Sequence, residues 1–274
     1  MQGIGLNSLT LGWALCALGY YAGTAVFNSP LSRGLCEYGL HIRDSALIYG
    51  VFLTVSVLVL ELACRLPEAL GLKTLSLEEV SGFYGGLMSD AITIIMTIAG
   101  VGIGITVGGA VLGTGPALGS IWAGYTTAAN LLLSLSANTF AVFSVYANIM
   151  SRATPILLNA GAVLLGVPHR LTRGAGGLML GLCLANASLL TAMPHLAVGL
   201  SGVGNFQEEL AKYKNQDWRA WVNINAGTIL LNPMDPAYTL AKVMLASAVV
   251  MAVYAALSSG LSKAFGGAAE RIAP

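Results

Sequence analysis

Charge is scarce in this chain, and that scarcity decides its class. Only 9% of the 274 residues are charged, while 56% are hydrophobic. A soluble domain carries about 25% charged residues. Mean hydropathy is +0.76. Disorder needs the opposite balance and is excluded. An ordinary soluble enzyme is excluded too, because one globular core cannot bury this much apolar surface. Lipid must cover the rest. Net charge is only +1, so the whole chain presents no basic footprint for gripping nucleic acid or an anionic surface.

Catalytic and metal chemistry are equally thin. The three histidines, His41, His169 and His195, share no metal-ligand spacing. There is no GxSxG, no HExxH and no phosphate-binding P-loop. Neither an enzymatic activity nor a cofactor is expected. The four cysteines form no CxxC. Cys16 and Cys183 lie in apolar runs and read as small packing residues. Cys36 and Cys64 sit at opposite ends of an apparent span, which argues against a bridge. Ionisable residues near mid-span, the mark of proton or ion coupling, are missing. Asp90 begins its span, Glu61 ends one and Asp235 sits in a breaker. His195, after Pro194, reads as a packed neutral histidine. Proton-coupled transport is disfavoured; sodium coupling by broken-helix carbonyls escapes that objection.

What the chain does have is long apolar runs. A spanning helix needs about 20 mainly apolar residues. Residues 4–27 are the first candidate. No basic residue precedes that run and it is too long for a signal peptide, so it reads as a retained span. A polar loop over 28–45 leads to a second span, 46–66. Its Glu61 and Arg65 are one turn apart, placed to pair or snorkel. Residues 67–80 read as a short interfacial segment. The next sixty uncharged residues, 91–150, are punctuated by Gly113-Thr-Gly-Pro-Ala-Leu-Gly119. This predicts a third span at 91–112 and a fourth at 121–150. Residues 154–167 are too few to cross comfortably and read as a re-entrant or interfacial helix. A span at 174–200 is expected to kink at Pro194. Residues 205–222 read as an amphipathic segment on the membrane surface. A breaker at 232–236 precedes the last span, 240–261. The expectation is an all-α polytopic transmembrane bundle of six spans, seven if 154–167 crosses, forming a single integral domain over 1–274 in the cell membrane.

Three constellations stand out. Gly100, Gly104 and Gly108 are four apart on one helix face, flanked by Gly102 and Gly109. Such a zipper lets helix backbones approach closely, within the chain or between subunits around a shared axis. Gly177 and Gly181 form a second small-residue face. Thr127, Asn130, Ser134 and Asn138 fall on one stripe of the fourth span, with Asn148 beyond. Asparagine in lipid is costly unless bonded, so this stripe faces protein or water. It either bonds between helices or lines an aqueous conduit that Asn186, Ser188 and Thr191 join. Arg152, Arg170 and Arg173 flank 154–167 and read as a positive-inside anchor or a contact for phosphates or an anionic partner.

Residues 154–200 carry a resemblance. A short apolar segment ends in Gly-Val-Pro, then comes His169-Arg-Leu-Thr-Arg-Gly-Ala-Gly-Gly177, then an apolar span with a proline near its far end. This order resembles the archaeal CedA proteins, the polytopic component of the Ced DNA-exchange system. More distantly it is similar to TrbL-type conjugation channel proteins. The resemblance implies a membrane-channel component of a DNA import or translocation machine related to conjugation, type IV secretion-like systems. It implies DNA as cargo, other membrane subunits and a separate cytoplasmic ATPase as partners, and a homo-oligomer in membrane lipid. Two further readings stay open: a small-solute transporter or channel built on helices broken at Pro116, Pro194 and Pro233/Pro236, and a structural scaffold for a larger membrane assembly.

Overall fold

A computed structural model describes residues 5–30, 33–111, 113–167, 170–204, 208, 210–211, 223–225, 228–230 and 233–271. The chain is an all-α bundle of the multi-pass membrane type. Its helices are α1 (Gly5–Phe27), α2 (Arg33–Ala69), α3 (Leu77–Ala110), α4 (Gly115–Gly166), α5 (Arg170–Ala185), α6 (Met193–Ser201) and α7 (Met234–Arg271). A π-helical turn, Asn186–Leu190, follows α5. Among the described residues six helical segments are long and apolar enough to cross a membrane: those in α1 to α4, Thr172–Leu190, and the segment in α7. A two-stranded antiparallel hairpin, β1 (Asn223–Asn225) with β2 (Thr228–Leu230), is an addition that hydropathy did not foresee. The rest of the expected amphipathic segment falls outside the described residues, apart from 208, 210 and 211.

Several boundaries differ from the hydropathy reading. The polar loop expected at 28–45 is mostly helix, because α2 starts at Arg33. Charged residues extend that helix: Arg43 pairs with Asp44 at 3.0 Å and lies over the Phe27 ring. At the other end Arg65 pairs with Glu61 at 2.7 Å. The interfacial segment expected at 67–80 holds the end of α2, a turn with Gly71 in the left-handed region, φ +74°, and the start of α3. That start is capped. There the Ser76 hydroxyl accepts from the Glu79 N–H at 3.2 Å, and the Glu79 carboxylate accepts from the Ser76 N–H at 2.7 Å. This capping box satisfies two donors at the helix start, so α3 begins well before its apolar run. Gly113, φ +73°, turns the chain from α3 into α4.

The separate re-entrant helix at 154–167 does not exist. Those residues continue α4, which runs 52 residues with Pro155 inside. At 1.5 Å per residue that is about 78 Å. Proline is tolerated in membrane helices where neighbours re-satisfy the backbone. Thr154, just before it, donates its hydroxyl to the Met150 carbonyl at 2.7 Å. The expected kink at Pro194 is also relocated. The helix widens into the π turn at 186–190 and restarts at Met193. Pro194 then stands in the first turn of α6, where its missing N–H costs nothing. The breaker at 232–236 resolves the same way, with Pro236 in the first turn of α7.

The chain packs as two compact units. The first comprises Met1–Thr74, Ile149–Ala192 and Met251–Pro274; the second comprises Leu75–Asn148 and Met193–Val250. In the first, Leu53, Ala162, Leu165 and Leu180 form a buried cluster with Phe52 and Leu158 against it. Close helix approach needs glycine here: a Cβ on Gly23 would stand 2.6 Å from the Arg43 nitrogen. In the second, Tyr84 packs on Phe140 and Phe143 and bonds Ser247 at 3.2 Å. Ser81 and Ser144 each donate to the other's carbonyl, at 3.0 and 2.9 Å.

Candidate functional site

The polar stripe of α4 lies in the second unit. Thr127, Ser134 and Asn138 are exposed there, and Asn130 is half-buried. The opposite side of the helix is packed: Thr126, Leu133, Ser136 and Phe140 are buried. Thr127 gives its proton to the Ala123 carbonyl at 2.6 Å, as helical threonines do. The Asn130 Oδ1 is buried without a hydrogen-bond partner. Asn148 is exposed as well. The whole stripe lies in a stretch with no charged residue. Hydrocarbon cannot bond an amide, so the exposed Asn138 and the half-buried Asn130 favour contact with water or polypeptide.

Asn186 leaves that set. It is completely buried in the first unit, in the π turn. Its Nδ2 donates to the Thr154 hydroxyl at 2.9 Å and to the Met150 sulfur at 3.7 Å. Its Oδ1 accepts from the Tyr254 hydroxyl. The residue lines no open path; it ties the π turn to α4 and α7. Each polar valence being answered inside the unit, no water is needed there. Ser188 and Thr191 bond back to their own helix, to the Leu184 and Ala187 carbonyls.

The two glycine faces have opposite fates. At Gly177 an added Cβ would fall 2.5 Å from the Phe265 carbonyl oxygen, and at Gly181 2.7 Å from the Ser262 Cα. Both therefore hold α5 against α7. At Gly100, Gly104 and Gly108 an added Cβ meets nothing within 4 Å. Among the described residues, then, nothing packs against the zipper face. Its flanking glycines are the packed ones: Gly102 lies against Trp122, and Gly109 against Gly115.

The arginines also part company. Arg152 is exposed, and the Arg170 side chain lies outside the described residues. Arg173 is 4% exposed. Its guanidinium stands 3.3 Å from the Tyr49 ring centroid, and its Nε donates to the Val167 carbonyl at 2.9 Å. A phosphate contact by Arg173 is therefore corrected to a structural one. The side chain closes the C-terminal end of α4 and clamps α5 to α2. Arg173→Lys keeps the charge but loses the planar stack and the fork. It should cost about 2 kcal/mol, read as a lower unfolding midpoint in detergent. Arg152→Gln should leave that midpoint unchanged.

His195 is exposed on α6, against the expectation of a packed histidine. Its position in the first turn after Pro194 turns it outward. All four cysteines are unbridged. Among the described residues no group of three His, Cys, Asp or Glu is placed to hold a metal ion. Tyr254, Thr154 and Tyr49 were not found from sequence. Each is joined to its partner across tens of residues, and no local spacing signals such pairs. Comparison with known protein families, with curated proteins and with solved structures returns no match.

Proposed function

We propose that this chain is a membrane-channel component of a DNA import or translocation machine, acting as a homo-oligomer in the cell membrane. The observation that carries the conduit is the exposed polar stripe Thr127, Ser134 and Asn138 on a stretch of α4 that carries no charge before Arg152. A face that offers hydroxyls and amides but no charge suits the passage of a polyanion, since it wets the path without trapping phosphates. The DNA cargo rests on the CedA-like order of residues 154–200. The chain has no P-loop, so a separate ATPase supplies the energy. Arg152, exposed on α4, remains the phosphate contact of this reading.

Deleting the gene should abolish transfer of a chromosomal marker between cells without slowing growth. Complementation by Asn138→Leu should restore membrane insertion but less than a tenth of the transfer. Unchanged transfer in the deletion strain would remove the DNA reading. A second reading, a small-solute transporter, draws on the π turn that ends α5, because broken helices build transporter sites. A growth or uptake defect with normal marker transfer would favour it.

A further inference from the structure

The outward face of α2, in the first unit, carries an ion pair that its own copy does not complete. Among the described residues Arg65 makes one hydrogen bond, from Nη2 to the Glu61 Oε1 at 2.7 Å. The other N–H donors of the guanidinium and the second carboxylate oxygen stay unengaged. Both side chains are more than half exposed, at 74% and 58%. The pair does not lie beyond the apolar part of the helix. Leu62, Leu66 and Leu70 accompany and follow it, all exposed. Leu47 to Leu70 covers about 35 Å at 1.5 Å per residue, close to the hydrocarbon thickness of about 30 Å. Glu61 stands about 13 Å inside the Leu70 end. Snorkelling does not relieve the charge, because the Arg65 side chain turns back to Glu61 and away from the nearer helix end. Acyl chains offer neither donors nor acceptors, and ionisable groups at membrane depth face protein or water.

The apolar residues beside the pair have the spacing of a helix seam. Ile48, Val51, Val55, Leu58 and Leu62 recur at steps of three and four, and all are exposed. They form the a and d positions of a heptad pattern. Branched Ile48 and Val55 stand at a and Leu58 at d, which favours two parallel strands. Tyr49, Leu53 and Ser56 on the opposite side of the helix are buried, so α2 meets its own unit through that side and leaves the seam open. In lipid an apolar seam packs well but drives association weakly, and polar contacts add the drive. Glu61 and Arg65 flank the end of the seam with both signs, one turn apart. Copies inserted the same way present α2 in parallel. Glu61 of one copy then stands one turn from Arg65 of the other, and the reverse holds by symmetry. The face is complementary in charge to itself.

We propose that α2 of one copy packs along α2 of a second copy through this seam, with each Glu61 bridging to the other copy's Arg65. The contact is isologous, so it closes at two copies. It goes beyond the conduit reading, which leaves the subunit contact open, and it does not depend on the cargo.

The test uses the full chain in native membranes. Cys36→Ser and Cys64→Ser in the background remove the two thiols that are not buried. On it, Val55→Cys should form a disulfide between copies, since facing a positions come within disulfide reach. A chain with Cys36→Ser alone should not cross-link, because Cys64 lies about 150° around the helix from the seam. Charge reversal tests the crossed pairs. Glu61→Arg and Arg65→Glu should each weaken self-association of the purified chain by about tenfold or more, because like charges then face each other. Neither should move the unfolding midpoint. Differently tagged Glu61→Arg and Arg65→Glu copies, mixed, should associate again, since each reversed charge then meets its opposite. Absence of the Val55→Cys cross-link would mean that lipid or another protein covers the seam, and would overturn the proposal. A cross-link indifferent to both reversals, or reversals that mixing does not rescue, would overturn it equally. A Val55→Cys cross-link in a chain whose deletion spares marker transfer would keep the contact and remove only the conduit reading.

Discussion

Leucine at Gly177 is expected to prevent the chain from folding, whereas the same substitution at Gly104 is expected to spare it. Both glycines belong to small-residue faces at i, i+4 spacing, and the sequence does not separate them. Their surroundings do. The Cβ of a residue at 177 would sit 2.5 Å from the Phe265 oxygen, 2.7 Å from its carbonyl carbon and 2.9 Å from the Gly266 nitrogen. These are backbone atoms, so no side chain can swing aside. α7 would have to separate from α5 along its last turns, breaking the neighbouring Gly181–Ser262 approach as well. Overpacking of a tight core costs about 1–3 kcal/mol, and a branched side chain against main chain belongs at or beyond the upper end. The expected result is a loss of detergent-extractable, monodisperse protein for Gly177→Leu. Gly104→Leu should extract normally. An unaltered unfolding midpoint for Gly177→Leu would show that α5 and α7 do not cross as described.

Asn186→Leu should be nearly as damaging, and its partner should show why. The substitution removes the Asn186 oxygen that accepts from the hydroxyl of the buried Tyr254. It also removes a donor from the Thr154 hydroxyl. Each buried polar group left unanswered costs about 1–3 kcal/mol. Tyr254→Phe alone strands the Asn186 oxygen instead, at a comparable cost. The double variant removes both ends of the bond, so it should be less destabilised than the sum of the two singles. The measured quantity is the coupling in a double-mutant cycle on detergent unfolding, expected at about 1–3 kcal/mol. Strict additivity would mean that the hydroxyl and amide do not bond. Because α5 gives way to the π turn at this residue, the cycle also reports whether the bond holds that turn in place.

Composition alone determined the class of this protein. A chain with 9% charge and 56% hydrophobic residues has no stable form in water, and lipid is the solvent that suits it. The apolar runs marked six crossings, and six helical segments answer to them. Hydropathy could not place helix ends, because a helix continues through polar residues wherever its caps and neighbours satisfy the backbone. Arg33–Ser45 and Leu77–Asp90 are helical for that reason. Residues 154–167 read as a separate helix, yet α4 runs on through Pro155, since a missing N–H breaks a helix only where nothing compensates. The roles of like residues were decided by tertiary structure. Asn138 is exposed and Asn186 buried; Gly104 is open and Gly177 closed; Arg152 is free to water and Arg173 is stacked on Tyr49. Spacing sets which side chains share a helix face, but it does not say what that face meets. That depends on contacts between residues far apart in the chain, such as Gly177 with Phe265 or Asn186 with Tyr254, which form only when the helices pack.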